Sequence, residues 1–208
     1  MISSEILLTF LTASFLISVA PGPDNIFVLA QSAMFGRRAG LFVVFGLCTG
    51  LIVHTVAVAF GVAVIFQTSQ VAFSILKTVG AFYLVYLAWK AFRSSGNEVQ
   101  DGPVSEVSPR GLYRRGIIMN ITNPKVSIFF LAFIPQFADP ARGSVTLQLL
   151  SFGGLFILST LIVFGSISFL AGTLGHWFSQ SDKAQKVLNR IAGVVFLGLA
   201  IKLATTDR

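Results

Sequence analysis

The chain has 208 residues, of which 54% are hydrophobic and only 11% charged. Soluble domains are nearer a quarter charged, so this apolar excess, gathered in long runs, excludes an ordinary soluble domain and points to an integral membrane protein. The net charge of +7 lies in short connections between apolar runs, with no aqueous domain to carry a basic patch, which excludes nucleic acid as a partner.

The first expected span runs from about Ile6 to Gln31. Glu5 is the only early charge and stands where a signal peptide would need a basic region, so this run reads as a retained span. It is interrupted by Ala20-Pro21-Gly22-Pro23-Asp24-Asn25. Pro21 and Pro23 push Ala20 and Gly22 out of helical geometry, and Gly22 is expected to accept backbone angles that other residues cannot. Ile6 to Ala20 is about 22 Å of helix, so the break lies deep in the bilayer. A second half-helix is expected to start at Pro23, with Asp24 in its first turn, where free amides and the dipole favour an anion.

The second span runs from about Gly40 to Phe66. Its Gly46-Leu47-Cys48-Thr49-Gly50 stretch fits a small-residue helix contact, open between packing inside the chain and a homodimer seam. Cys48 is the lone cysteine, so no internal disulfide forms. His54 lies inside this span and reads either as a satisfied core histidine or as a proton relay. The third span runs from about Val71 to Phe92, with Lys77 within reach of an interface.

The polar stretch 94–110 reads as a flexible linker between two three-span halves, 1–93 and 111–208, within one transmembrane domain. The fourth span runs from about Ile117 to Phe137 and is broken at Asn120-Ile121-Thr122-Asn123-Pro124-Lys125. Pro124 removes one backbone hydrogen bond and pushes Asn123 out of the helix. Asn120, Thr122 and Asn123 offer side chains to the freed backbone groups or to a ligand. Lys125 opposes the dipole of the half-helix it starts, so it needs an anionic partner: Asp24, a substrate carboxylate, or both. The fifth span covers about Leu147 to Leu174, with His176 at its interfacial end, and the sixth about Val187 to Ala204.

The expected fold is therefore all-α and membrane-embedded, with six transmembrane helices, the first and fourth broken at Pro21-Gly22-Pro23 and Asn123-Pro124. Ser69, Ala72, Leu76, Leu87, Ala88 and Lys90 recur in order as Ser181, Ala184, Leu188, Leu199, Ala200 and Lys202, and Leu51-Ile52-Val53 recurs as Leu161-Ile162-Val163. Because three is odd, a second three-span copy enters from the opposite side, making an inverted repeat. Lys and Arg cluster after spans 1, 3 and 5 (Arg37, Arg38, Lys90, Arg93, Arg110, Arg114, Arg115, Lys183, Lys186 and Arg190), which places those connections in the cytoplasm and both termini outside. Trp89 and Trp177 then fall at the cytoplasmic interface.

A charge inside an apolar span marks a substrate or ion pathway, and paired interrupted helices in two halves point to a transporter site. The alternative keeps Asp24 as a cap, Lys125 snorkelling to an interface and the prolines as kinks. No enzyme signature, metal-ligand cluster or phosphate-binding loop is present, so neither catalysis nor a cofactor is expected.

Ala20-Pro21-Gly22-Pro23-Asp24-Asn25, Gly80-Ala81-Phe82-Tyr83-Leu84-Val85-Tyr86-Leu87 and Thr122-Asn123-Pro124-Lys125 resemble the LysE/RhtB-type amino-acid exporters over essentially the whole chain. The resemblance implies a bacterial inner-membrane exporter of amino acids or close derivatives, with the proton as coupling ion. Many members carry an acid directly after the second glycine of the span 2 pair, where this chain has Leu51. That departure disfavours a strongly basic substrate. On this reading Asp24 faces the substrate ammonium or carries the exchanged proton, and Lys125 faces the carboxylate. Asn25, Asn120 and Asn123 supply neutral hydrogen bonds, and Pro21, Gly22, Pro23 and Pro124 make the breaks. The runner-up readings are an efflux carrier for a small inorganic ion and a non-transporting membrane subunit.

Overall fold

The computed structural model describes residues 3–62, 70–93, 108–180 and 182–205, and within them not the side chains of 62, 70, 72, 73 and 172–185. Most of the polar linker, the end of span 2, the first pair of the proposed repeat (Ser69 and Ser181), and the side chains of Ala72, His176, Trp177, Lys183 and Ala184 lie outside it.

Eight helical segments, α1 to α8, follow in chain order. The first, α1 (Ser4–Val19), is capped by Ser3, whose hydroxyl accepts from the Ile6 amide, and it stops where Pro21 forbids Ala20 a helical ψ. After the break α2 (Pro23–Phe35) starts with proline at its first position and ends at Gly36, whose φ of +82° suits only glycine. Then comes α3 (Arg37–Ala57), which continues into a π-helical turn (Val58–Val62), and α4 (Gln70–Arg93).

The second half opens with α5 (Pro109–Ile121), capped by Ser108; Pro109 and Arg110 therefore belong to this helix and not to a flexible linker. The half-helix α6 (Pro124–Ile128) is capped by Asn123 and runs on through a π turn (Phe129–Phe133) and a 3-10 turn (Ile134–Phe137). Two long helices, α7 (Val145–Gln180) and α8 (Asp182–Thr205), complete the chain. All the regular structure among the described residues is helical. Among the described residues four helices are long and apolar enough to cross a bilayer, and six segments are if each bent pair counts as one span. The bends are 60° between α1 and α2 and 52° between the pieces on either side of Asn123.

Helix contacts rely on small residues, as expected where lipid removes the hydrophobic drive between helices. A Cβ on Gly46 would sit 2.1 Å from the Tyr113 carbonyl oxygen, and one on Gly116 would sit 2.4 Å from that of Val43. Gly50 lies against Asn120, where a Cβ would come within 2.7 Å of its side chain. The glycine pair of α3 is thus spent on α5 within the chain. Gly153 of α7 accommodates Thr55 of α3 in the same way.

Two buried clusters fill the interior. The larger joins α1, the second broken span and the first part of α7 through Phe10, Phe129, Phe133, Phe137, Phe152 and Phe156. Their rings pack at centroid distances such as 4.7 Å (Phe10–Phe152) and 4.8 Å (Phe129–Phe156), in the range where aromatic pairs attract. The smaller joins α2, α3 and α5 through Val28, Val43, Val44, Leu47 and Leu112, with Phe164 of α7. The two breaks lie where these clusters adjoin.

Candidate functional site

A helix that stops in a membrane leaves carbonyls with no partner, and no water nearby to satisfy them. The end of α1 shows how this chain meets that demand. Lys125 Nζ donates to Ile17 O at 3.4 Å and to Ala20 O at 3.1 Å. Asn25 Nδ2 donates to Ser18 O at 2.8 Å. The Lys125 ammonium, only 8% exposed, is therefore seated at the negative end of the α1 dipole.

The second break is closed differently. Pro124 has no N–H, so Asn120 O loses its helical partner; it accepts instead from the Asn123 amide at 3.1 Å and from His54 Nε2 at 3.3 Å. A carbonyl can only accept, so His54 carries its proton on Nε2. Asn123 Oδ1 accepts from the Lys125 amide at 3.0 Å, the usual work of a helix cap.

One side chain bridges the two breaks. Asn123 Nδ2 donates to Asp24 Oδ2 at 2.9 Å while its oxygen caps α6. Asp24, 3% exposed, also lies in the first turn of α2, where the dipole favours its charge. Asp24 Oδ1, Asn25 Oδ1 and Asn120 Oδ1 are buried and have no hydrogen-bond partner.

A narrow cavity of about 20 Å3 lies between the breaks, its polar wall formed by Ser18, Asp24, Asn120, Lys125 and Thr160. Its apolar wall includes Leu51, Phe129, Phe156 and Phe164. This is room for about one water, far short of the ~300 Å³ or more of an ordinary small-molecule site. In this conformation the cavity is too small for a solute of several non-hydrogen atoms.

Of the residues singled out in the sequence, Asp24, Asn120 and Lys125 line this cavity, and Asn25, Asn123 and His54 hold its frame. One expectation is corrected. Gly22 is extended (φ −166°, ψ 176°), a geometry open to any residue; a Cβ there would stand 3.1 Å from Lys125 Nζ. Lys125 donates to the carbonyl end of α1 and lies beyond 4 Å from the Asp24 carboxylate: among the described residues the only ion pair within 4 Å is Arg142–Asp139, at 3.0 Å in the loop after Phe137. Thr122 bonds back to Ile118 O at 2.8 Å and takes no part in the site. Sequence reasoning missed Ser18 and Thr160, whose hydroxyls approach to 3.4 Å across the cavity wall. Their signal was a hydroxyl within an apolar run, too common to single out.

A family model described as LysE type translocator matches residues 15–207. The chain is 34% identical over 197 residues to a homoserine/homoserine lactone efflux protein of Salmonella typhi, covering 94% of each chain. It is 32% identical over 207 residues to a leucine efflux protein of Salmonella choleraesuis, covering 95% of this chain and 93% of the relative. An uncharacterized membrane protein of Vibrio cholerae is 31% identical over 198 residues, covering 95% of this chain and 96% of the relative. No solved structure matches the chain.

Proposed function

The chain belongs to the LysE-type translocators, membrane transporters rather than enzymes, and on that premise we propose a secondary exporter of amino acids or close derivatives in the bacterial inner membrane, coupled to the proton. The observation that carries this reading is the buried Asp24 and Lys125, each in the first turn of the half-helix after a break, lining one cavity. Relatives named for the efflux of homoserine, homoserine lactone and leucine support a cargo of that size.

The two halves act as inverted three-helix repeats that rock against each other and open the cavity to either side in turn. In support, α3 packs on α7 and α4 on α8, the pairs that an exchange of halves leaves matched. Both termini lie outside and the connection between α4 and α5 is cytoplasmic. In support, Arg37, Arg93 and Arg115 lie over the rings of Phe169, Trp89 and Phe27 at 5.7, 4.3 and 4.6 Å, as cationic and aromatic anchors do at a membrane interface. A homodimer must use a face other than the glycine pair of α3, which is already engaged with α5.

Asp24 carries the exchanged proton. Its loss of charge weakens the Asn123 bridge, and with it the attachment of one break to the other. The test is efflux of each amino acid from proteoliposomes, with and without a pH gradient. At least one amino acid is expected to leave several-fold faster with the gradient, and Asp24→Asn to abolish that acceleration while leaving exchange measurable. Flux of no amino acid overturns the exporter reading; wild-type pH dependence in Asp24→Asn overturns the role of Asp24.

A further inference from the structure

The donors and acceptors around the cavity are out of balance. Lys125 Nζ is engaged by Ile17 O and Ala20 O, Asn25 Nδ2 by Ser18 O, Asn123 Nδ2 by Asp24 Oδ2 and His54 Nε2 by Asn120 O. Two acceptors are left without any donor: Asp24 Oδ1 and Asn120 Oδ1, on cavity-lining residues that are 3% and 2% exposed. A buried acceptor without a donor is costly, the more so on a carboxylate.

Lys125 donates to the carbonyl end of α1, whereas among the described residues the only side-chain hydrogen-bond donor to Asp24 is the neutral amide of Asn123. An ammonium would supply N–H donors to the two orphan oxygens and a second positive charge beside Asp24. A carboxylate placed against the same two oxygens would bring only further acceptors and a like charge. The rest of the wall is apolar, including Leu51, Val126, Phe129, Phe156 and Phe164.

Resting on the exporter reading, we propose that the site recognises its cargo by a primary ammonium group, held at Asp24 Oδ1 and Asn120 Oδ1, with a compact apolar body against the phenylalanines. A free carboxylate is not required. The substrate class is then small primary amines, with amino-acid amides and lactones admitted beside the amino acids, and N-acylated amino acids refused. Lys125 is a positioning residue that holds the end of α1, not the carboxylate ligand expected from the sequence.

The experiment is equilibrium binding to the purified full chain in detergent, with L-leucine, L-leucinamide, N-acetyl-L-leucine and 4-methylpentanoate as probes. Leucinamide is expected to bind within about threefold of leucine. The two compounds without an ammonium are expected to bind at least about 30-fold more weakly, since a site built around a hydrogen-bonded group rejects analogues lacking it. Asp24→Asn is expected to weaken leucine and leucinamide by the same factor, with unchanged helix content by circular dichroism as the control for folding. Binding of leucine with loss of leucinamide overturns the proposal, and so does binding of N-acetyl-leucine at the level of leucine. Failure of leucine to bind, while another amino acid is exported by the same protein in liposomes, overturns this proposal and leaves the exporter reading standing. Failure of every amino acid in the liposome screen overturns both.

Discussion

At the first break, the carbonyl end of α1 is closed mainly from a distance: Lys125, more than a hundred residues away in sequence, takes Ile17 O and Ala20 O, with Asn25 assisting from just beyond the bend. At the second break, the carbonyl end of α5 is closed mainly from nearby: the Asn123 amide takes Asn120 O, the Asn123 side chain caps α6, and only His54 comes from elsewhere. The two bends are similar in angle, 60° and 52°. Their difference lies in dependence. The first break exists in this form only while the second half of the chain is seated against it, whereas the second is largely capped by its own residues. Separating the halves would therefore leave the first break far less satisfied than the second.

Lys125→Met should break the comparison most severely. It leaves the Ile17 and Ala20 carbonyls without donors and Asp24 without a nearby cation. A loss of about 3 kcal/mol in stability is expected, the scale of two hydrogen bonds to a charged group. Efflux from proteoliposomes should fall to background. Thermal unfolding followed by circular dichroism, beside the flux assay, checks both; full transport in this variant would show that the first break does not depend on Lys125.

Asn123→Ala touches both breaks by removing the bond to Asp24 Oδ2 and the cap on α6. The cap alone is worth about 1 kcal/mol and the bond to the carboxylate about as much again, so a loss of roughly 2 kcal/mol is expected. Asn123→Asp sharpens the reading: it retains the cap oxygen but sets a carboxylate against Asp24. It should therefore lower transport more than it lowers the unfolding temperature.

His54→Gln should have the smallest effect. Its amide can keep a donor near Asn120 O, and the Asn123 amide still serves that carbonyl. The expected cost is under about 1 kcal/mol, with gradient-driven export retained. Loss of gradient dependence in His54→Gln would make the histidine part of the proton route and the second break as dependent as the first.

Much of the architecture was legible in the chain because its causes are local. Pro21 and Pro124 stop helices wherever they stand, Pro23 and Pro124 suit a first helical position, and Asp24 and Lys125 are conspicuous in apolar runs. The caps at Ser3, Ser108 and Asn123 are equally local in their chemistry but were not read from the sequence, which started the fourth span at Ile117 where the helix begins at Pro109. The hidden part was contact. Gly22 read as a flexible joint and is instead a space for the Lys125 side chain. Gly46 and Gly50 were open between two uses until Gly116 and Asn120 were seen against them.

The sequence by itself determined where the two broken spans are interrupted and that an acid and an amine lie beside those breaks, since backbone sterics and the cost of charge in an apolar medium act on neighbouring residues. Only the tertiary structure decided that the amine would settle on carbonyls of α1 and the acid on an asparagine cap, leaving one carboxylate oxygen without a hydrogen-bond partner. Those partners come from the opposite half of the chain. Hydrogen bonds a few ångströms long depend on how helices cross, which no local pattern of residues encodes.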